Sequence, residues 1–406
     1  MNSVLETLEK RGFIKQCTDI EKLSRIMDEK QIALYIGVDP TGGSLHIGHM
    51  VPIFALKHFA DAGHKVVILI GGGTGRIGDP SGKTEMRKIL DYSEIDKNVE
   101  SIKKQLNRFI APEYANIRNV SFANNKDWLA DLNFIDFMRE IGSQFSVNKM
   151  LTYEAYKKRM ETGLSFLEFT YQLLQSFDFL NLHQKYGCDL QIGGDDQWGN
   201  ITAGVDLTRR KTGDEVYGLT FPLITRADGK KMGKSEQGAI FLDPSLTAPY
   251  DFFQYFRNTD DRDVKKMFLT FTFLPIDEID DVCAANINQA KERLALEVTS
   301  LVHGKAEAEK ALAAAKDAFY GTGSGSAMPS IELKKADYEQ RIALIDLFVA
   351  ANFCTSKSEA RRLIEQGGAF VNNENMRDIK AVIPLDGTDE IILRAGKKRI
   401  MKVCFI

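Results

Sequence analysis

Two short strings hold the side chains best suited to chemistry on phosphates. The first is His46-Ile47-Gly48-His49; the second, far downstream, is Lys231-Met232-Gly233-Lys234-Ser235. Upstream of the histidines, Tyr35-Ile36-Gly37-Val38-Asp39-Pro40-Thr41 reads as the end of a strand, and Leu45–Pro52 as the opening of a helix. A helix N-terminus at the carboxyl end of a strand is a prepared anion site. Two imidazoles there can donate to phosphate oxygens, Gly48 lets a flat base approach the backbone, and Pro52 suits a first helical turn. The same histidines could equally cap or pack locally. Lys230, Lys231 and Lys234, interleaved with glycines, describe a mobile cationic loop, which alone reads as readily as a solvated turn.

A third pattern lies between them. Ser165–Leu180 is apolar on nearly all sides (Phe166, Leu167, Phe169, Leu173, Leu174, Phe177, Leu180), as a buried helix should be. Tyr171, Gln175 and Asp178 nevertheless fall at i, i+4 and i+7, one polar stripe. A buried stripe must find partners, either in an internal network or in a polar ligand.

Glycine-rich runs invite other readings. Gly73-Thr74-Gly75-Arg76-Ile77-Gly78 follows a strand and matches GxGxxG, but a dinucleotide site needs an acidic residue ending a second strand about 20 positions on. Residues 88–104 are a charged helical pattern instead. Gly78-Asp79-Pro80-Ser81-Gly82-Lys83-Thr84 is one residue short of a P-loop and contains a proline. Both read as a turn at a strand's carboxyl end, which is where open α/β sheets bind ligands; Asp79 then becomes a candidate.

These residues need a scaffold. Strands expected at Ile32–Val38, Val66–Ile70, Val120–Ala123, Asp189–Ile192 and Leu219–Ile224 alternate with helical stretches, the pattern of an α/β fold with a parallel sheet. Pro249–Arg257, Val264–Phe271 and Ile287–Ala318 read as helices only, and Gly321–Ser330 is linker-like in composition. The expected division is a catalytic domain over 1–235, a helical domain over 236–320, a linker over 321–336 and a small α+β domain over 337–406. In a chain of 406 residues with net charge −3, a core of ordinary size is expected, and wholesale coating of nucleic acid is not. Five scattered cysteines without a CxxC pair fit neither a disulfide framework nor a zinc site. No signal peptide or membrane span is expected, so the chain reads as cytoplasmic.

Taken together, Tyr35–Thr41 with HIGH, Gly78–Gly82, Phe169-Thr170-Tyr171, Gln175, Phe177-Asp178, Gln191–Asn200 and KMGKS resemble bacterial-type tyrosyl-tRNA synthetases, members of the class I aminoacyl-tRNA synthetases. That resemblance implies a Rossmann-like catalytic domain, and it implies ATP as a substrate with Mg2+ carried by the nucleotide and no tightly bound metal. Activation of L-tyrosine to tyrosyl-adenylate and pyrophosphate would be followed by transfer to the 3′ end of tRNA(Tyr). By the same resemblance Asp79, Tyr171 and Gln175 would hold the substrate ammonium, Tyr35 and Asp178 its phenol, and Gln197 would lie near its carboxylate. Gly37, Asp39, Gly48 and Asp196 would hold adenosine. Thr41, His46, Lys231 and Lys234 would stabilise the reacting phosphate, with His49 in the nucleotide site and Lys234 also binding ATP. A homodimer is implied as well. Gly233 stands where the general class I pattern has Ser, and Asp195 adds a carboxylate beside Asp196.

The tail has its own signal. From 355 onward ten Lys and Arg face seven Asp and Glu. Lys357, Arg361 and Arg362 sit on a helix that turns through Gly367-Gly368 into an expected hairpin, which resembles a small RNA-binding module known from a ribosomal protein; such a cluster suits RNA phosphates. Two rival readings remain: a tryptophanyl enzyme, and a scaffold that binds RNA without catalysis.

Overall fold

The computed structural model describes residues 1–81, 90–110, 119–227, 229, 232–235, 238–320, 330–338, 341–372, 374–385, 387, 389–396 and 399–406, with side chains for all of these except 108–110, 234–235 and 317–320. It divides into two compact units. The first joins Met1–Thr247 to Asn258–Leu294; the second joins Ala248–Arg257 to Ala295–Ile406.

The first unit is built on a six-stranded sheet: β1 (Gln16–Cys17), β2 (Ala33–Val38), β3 (Lys65–Ile70), β4 (Val120–Asn124), β5 (Cys188–Gly194) and β6 (Tyr217–Phe221), in the order β1-β6-β5-β2-β3-β4. All neighbours run parallel except β1, which pairs antiparallel with β6. Ala-Leu-Tyr-Ile in β2 and Val-Val-Ile-Leu-Ile in β3 are buried without alternation, because a parallel sheet is covered on both faces. Helix Ile47–Asp61 links β2 to β3 and is apolar nearly all round: Ile47, Met50, Val51, Ile53, Phe54 and Phe59 are all buried. The chain leaves β2 in one direction towards β3, while β5 lies on its other side. Where strand order reverses in this way, the loops diverge and leave a crevice at the carboxyl ends.

The structure corrects several expectations. The last strand stops at Phe221, not Ile224, because Pro222 has no N–H for the ladder. Pro52 lies inside the helix rather than in its first turn. Ile287–Ala318 is two helices, Ile287–His303 and Lys305–Tyr320, broken at Gly304 with φ +90°. Phe166, expected to be buried, is 67% exposed. After β3 the glycine-rich run makes a single 3-10 turn, Thr74–Arg76, not the helix of a dinucleotide fold; Gly82, Lys83 and Thr84 lie outside the described residues. A short hairpin of β7 (Lys234–Ser235) and β8 (Gly238–Ala239) follows the sheet, in a stretch read as helical beyond 235.

The second unit ends in a module of β9 (Ser330–Leu333), β10 (Arg341–Ala343), β11 (Ala369–Val371), β12 (Glu374–Met376), β13 (Val382–Pro384), β14 (Glu390–Ala395) and β15 (Arg399–Phe405). Five of these form a sheet in the order β12-β11-β14-β15-β9, and β10 pairs with β13. Ser330–Leu333, inside the stretch read as linker, is therefore an edge strand, parallel to β15. Helices Leu344–Ala350 and Lys357–Glu365 give Leu344, Leu347, Phe348, Ala360 and Ile364 to a core shared with Ile391, Leu393 and Val403. Among the described residues no helix is long and apolar enough to cross a membrane.

Candidate active site

A cavity of about 410 Å3 opens at the carboxyl ends of the central strands. It is lined by Tyr35, Gly37, Asp39, Thr41, His46, Gly48, His49, Asp79, Tyr171, Gln175, Asp178, Asp196 and Gln197. Every site residue that sequence reasoning assigned to the first unit, Lys231 and Lys234 apart, is thus brought to one crevice. Lys231 lies outside the described residues, and Lys234 is described in its backbone alone.

At one end of the cavity sits Asp178, 2% exposed. Asn125 Nδ2 donates to its Oδ2 at 2.9 Å and Trp128 Nε1 to its Oδ1 at 2.8 Å. Burial nevertheless dominates, and its carboxyl is pushed up to about 8 despite those two donors. Tyr35 from β2 is fully buried beside it, edge-on to Phe179 at 5.2 Å. Burial, then the nearby Asp178, pushes the Tyr35 hydroxyl well above its ordinary value. That hydroxyl has no hydrogen-bond partner among the described residues, and neither does Gln191 Oε1 on the same wall. A buried polar atom without a partner costs roughly 1–3 kcal/mol, a cost that a polar group entering the cavity would relieve.

Further along the stripe, Tyr171 donates its hydroxyl to Asp39 Oδ2 at 2.8 Å, and Thr74 Oγ1 donates to Asp39 Oδ1 at 2.7 Å. Asn125 closes the chain, donating to Thr74 Oγ1 at 2.9 Å and accepting from the Gly73 amide at 2.7 Å. Gln197 Nε2 donates to Asp79 Oδ2 at 2.6 Å, and the Ser81 amide donates to Asp79 Oδ1 at 2.9 Å. Asn200 Nδ2 donates to Gln175 Oε1 at 3.0 Å and to Gln197 Oε1 at 3.2 Å. The stripe is both things the sequence left open: a fixed internal network and an acceptor-rich wall. Acceptors on Asp79 and Gln175 suit a cation that brings only donors.

The histidines also combine their two readings. His46 Nδ1 accepts from the Gly48 amide at 3.0 Å, and His49 Nδ1 accepts from the His46 amide at 3.1 Å. Together they form a reciprocal cap on helix Ile47–Asp61. In a neutral ring, an accepting Nδ1 requires the proton on Nε2. Local capping therefore sets the tautomer with which each ring can donate. The rings lie 3.9 Å apart between centroids. A Cβ on Gly48 would come within 2.8 Å of the His46 ring, so the missing side chain makes room for the cap first.

The histidine motif and the downstream Gly233 meet here. Gly233 has φ +84°, and a Cβ built on it would lie 3.2 Å from the Gly48 amide nitrogen. Around it the chains are stitched together: the Ile240 amide donates to the Gly233 carbonyl at 2.9 Å, the Ile47 amide to the Ile240 carbonyl at 3.1 Å, and the Leu242 amide to the Leu45 carbonyl at 2.8 Å. Glycine at 233, in place of the general serine, follows from that left-handed backbone. The neighbouring carboxylates divide: Asp196 lines the cavity, whereas Asp195 turns to the sheet edge and accepts from Gln16 Nε2 at 2.7 Å and Thr220 Oγ1 at 3.1 Å.

Lys357, Arg361 and Arg362 belong to the second unit, on helix Lys357–Glu365. Both arginines are exposed, and Lys357 pairs with Asp346 at 2.7 Å. Among the described residues, no group of three or more His, Cys, Asp or Glu gathers as a metal site would require. Sequence reasoning missed Asn125, Trp128, Thr74 and Gln191. Asn125, one residue past β4 at the sheet's carboxyl edge, carried a positional signal; the indole of Trp128 carried none.

Comparison with known proteins agrees with this architecture. Residues 27–320 match the family described as tRNA synthetases class I (W and Y), and residues 322–403 match a tyrosine–tRNA ligase C-terminal domain. The chain is 65% identical to the tyrosine–tRNA ligase of Treponema denticola, which it covers at 100% of both chains, and 59% identical to that of Treponema pallidum over 99% of this chain and 98% of the other. A mitochondrial tyrosyl-tRNA synthetase structure from Aspergillus nidulans superposes with a TM-score of 0.71 at 32% identity, covering 78% of this chain and 94% of that one. A tryptophanyl-tRNA synthetase from Encephalitozoon cuniculi, at 14% identity and TM-score 0.57, shares the fold alone. The chain belongs to the class I tRNA synthetases, in the family of the tyrosine–tRNA ligases.

Proposed function

We propose that the cavity joins L-tyrosine to ATP and that the chain then delivers the tyrosyl group to tRNA(Tyr). One observation carries the choice of amino acid: an unpartnered Tyr35 hydroxyl beside a buried Asp178 whose two oxygens are already aimed by Asn125 and Trp128. A phenol placed between them donates to the carboxylate and accepts from Tyr35. Phenylalanine offers no donor to Asp178 and would leave the Tyr35 hydroxyl unsatisfied.

In this reading Asp79, Tyr171 and Gln175 hold the ammonium group, and Gln197 steers the carboxylate. One carboxylate oxygen attacks the α-phosphorus, the bond to the bridging oxygen breaks, and pyrophosphate leaves. Gly37, Asp39, Gly48 and Asp196 hold adenosine, with His49 in the nucleotide site. Thr41, His46, Lys231 and Lys234 stabilise the charge that builds on the phosphate, which is the electrostatic help such a transfer needs. A terminal ribose hydroxyl of tRNA then attacks the acyl carbon and AMP departs. ATP enters with Mg2+ bound to its phosphates, and no resident metal is required.

The same reading assigns catalysis to 1–235, tRNA contacts to the helical stretch 236–320, and further RNA phosphates to Lys357, Arg361 and Arg362 beyond the linker 321–336, within 337–406. A homodimer in the cytoplasm completes it. Support for an interface comes from large apolar side chains left exposed in the first unit, among them Phe134 at 62%, Ile135 at 69% and Phe166 at 67%.

Tyrosine-, tryptophan- and phenylalanine-dependent pyrophosphate exchange into ATP tests the proposal. Exchange with tyrosine alone is expected. Exchange with tryptophan would move the substrate, and no exchange from folded protein would leave the non-catalytic RNA scaffold.

A further inference from the structure

Alternation sorts the terminal sheet into two faces. Ala369, Val371, Ile391, Leu393, Ala395 and Val403 point into the module's core, and the residues between them point away from it. Cross-strand pairing sets Asn375, Phe370, Arg394 and Ile400 in one row across β12, β11, β14 and β15. In that row the Arg394 guanidinium lies 3.9 Å from the centre of the Phe370 ring. Nearby cations are answered by acceptors: Lys402 by Glu390 at 2.6 Å, Arg377 by Asn375 at 3.0 Å, and Arg399 by the Phe353 carbonyl at 2.8 Å. Arg394 is different. Among the described residues it makes no hydrogen bond or ion pair, and its Nε is buried without a partner. The cation is held by a ring on a half-exposed face, and no described carboxylate neutralises its charge.

We propose that Phe370 and Arg394 form a stacking platform for an unpaired base of RNA. This inference rests on the reading of the chain as a tRNA enzyme and adds a contact surface to it. A guanidinium is planar and weakly hydrated, so it can lie between an aromatic ring and a base. Sheets that bind unpaired RNA use such exposed aromatic and arginine planes. The excess of Lys and Arg from 355 onward favours a polyanion over a neutral partner. Helix Lys357–Glu365 packs through Ala360 and Ile364 on the core side of the sheet. The platform therefore lies on the opposite side from Lys357, Arg361 and Arg362, and gives RNA a second point of attachment.

Binding of a tRNA(Tyr) transcript to the full-length chain, followed by fluorescence anisotropy at fixed salt, tests this for Arg394→Ala, Arg394→Lys and Phe370→Leu, alongside tyrosine-dependent pyrophosphate exchange and sedimentation. Each variant is expected to bind tRNA about fivefold to 100-fold more weakly, with exchange and mass as in the unsubstituted chain. Lysine keeps the charge but not the plane. Wild-type binding by Arg394→Lys beside weak binding by Arg394→Ala would overturn stacking in favour of a bare phosphate contact. Wild-type binding by all three would overturn the platform. A change in sedimenting mass would mean that a second copy of the chain covers this face, which also overturns it. Failure of the unsubstituted chain to bind tRNA would instead remove the underlying tRNA reading.

Discussion

Trp128 Nε1 donates to Asp178 Oδ1 at 2.8 Å, while Asn125 occupies the other carboxylate oxygen. The carboxyl is therefore oriented from behind and still sits at about 8 because burial outweighs both donors. Its proton is bound at neutral pH until a ligand favours the anion. A substrate phenol donating to Asp178 would do so. Calorimetry of tyrosine binding at pH 7, in buffers of different ionisation enthalpy, should show close to one proton released on this account, and none for Asp178→Asn. Equal proton release by the two proteins would remove Asp178 from the phenol site. Asparagine should also slow tyrosine-dependent exchange at least about tenfold, since its amide nitrogen would face Asn125 or Trp128 donor to donor.

The same carboxyl shapes stability against pH. Its folded value lies above the ordinary carboxylate value, so the native state holds a proton that the unfolded chain has already lost. This contribution is fully present below about pH 4 and is lost as pH rises through about 8. Urea titrations from pH 5 to 9 should show a decline that Asp178→Asn flattens; identical slopes would mean that the group is ionised throughout.

Tyr35→Phe separates folding from selectivity. Removing a buried hydroxyl without a partner should leave stability unchanged or raise it by about 1 kcal/mol. Discrimination of tyrosine over phenylalanine in pyrophosphate exchange should fall. A loss of stability with unchanged discrimination would mean that the hydroxyl serves the core.

Helix Phe166–Tyr186 is held at its N-terminus by a buried pair: Arg159 Nε and Nη2 each reach a Glu168 oxygen at 3.0 Å, and Ser165 completes a capping box. Burial alone would raise the Glu168 carboxyl, but hydrogen bonds from Arg159 and Ser165 outweigh it and hold it below its ordinary value. Its contribution is thus present above about pH 4.5 and lost as pH falls through the lowered value. Arg159→Ala leaves a buried carboxylate unpaired and should cost about 3–5 kcal/mol, read from urea unfolding at pH 7. A loss below about 1 kcal/mol would show that water replaces the pair.

Gly233→Ala tests the contact between the motifs. A left-handed backbone at φ +84° and a Cβ 3.2 Å from the Gly48 amide leave alanine strained by roughly 1 kcal/mol or more. Adenylate formation in stopped-flow should slow while tyrosine affinity holds, as it should for Lys234→Ala. Wild-type activation by both variants would remove Gly233 and Lys234 from the activation step.

How much of this was legible in sequence depended on the range of the interaction. Strands β2 to β5 were visible within a residue or two, because burial on both faces writes an unbroken apolar run. The two-residue β1 was not, since Gln16–Cys17 has no pattern and pairs with residues near 220. Tyr171, Gln175 and Asp178 stood out because a helix repeats locally. Their partners Asn125, Trp128 and Asn200 did not, since each joins them only through the tertiary fold. Likewise, nothing in Asp195-Asp196 tells which carboxylate faces the cavity; Gln16 and Thr220 decide it from another strand.

The stitching of Leu45–Ile47 to Ile240–Leu242 also bears on the order in which the molecule assembles. Contacts so distant along the chain raise contact order and close a long loop, a cost met before those contacts give anything back. During synthesis the histidine motif leaves the ribosome long before its glycine partner exists. That end of the crevice is accordingly completed late, and a nascent chain that stops short of residue 240 should fold part of its sheet while having no competence for adenylate formation.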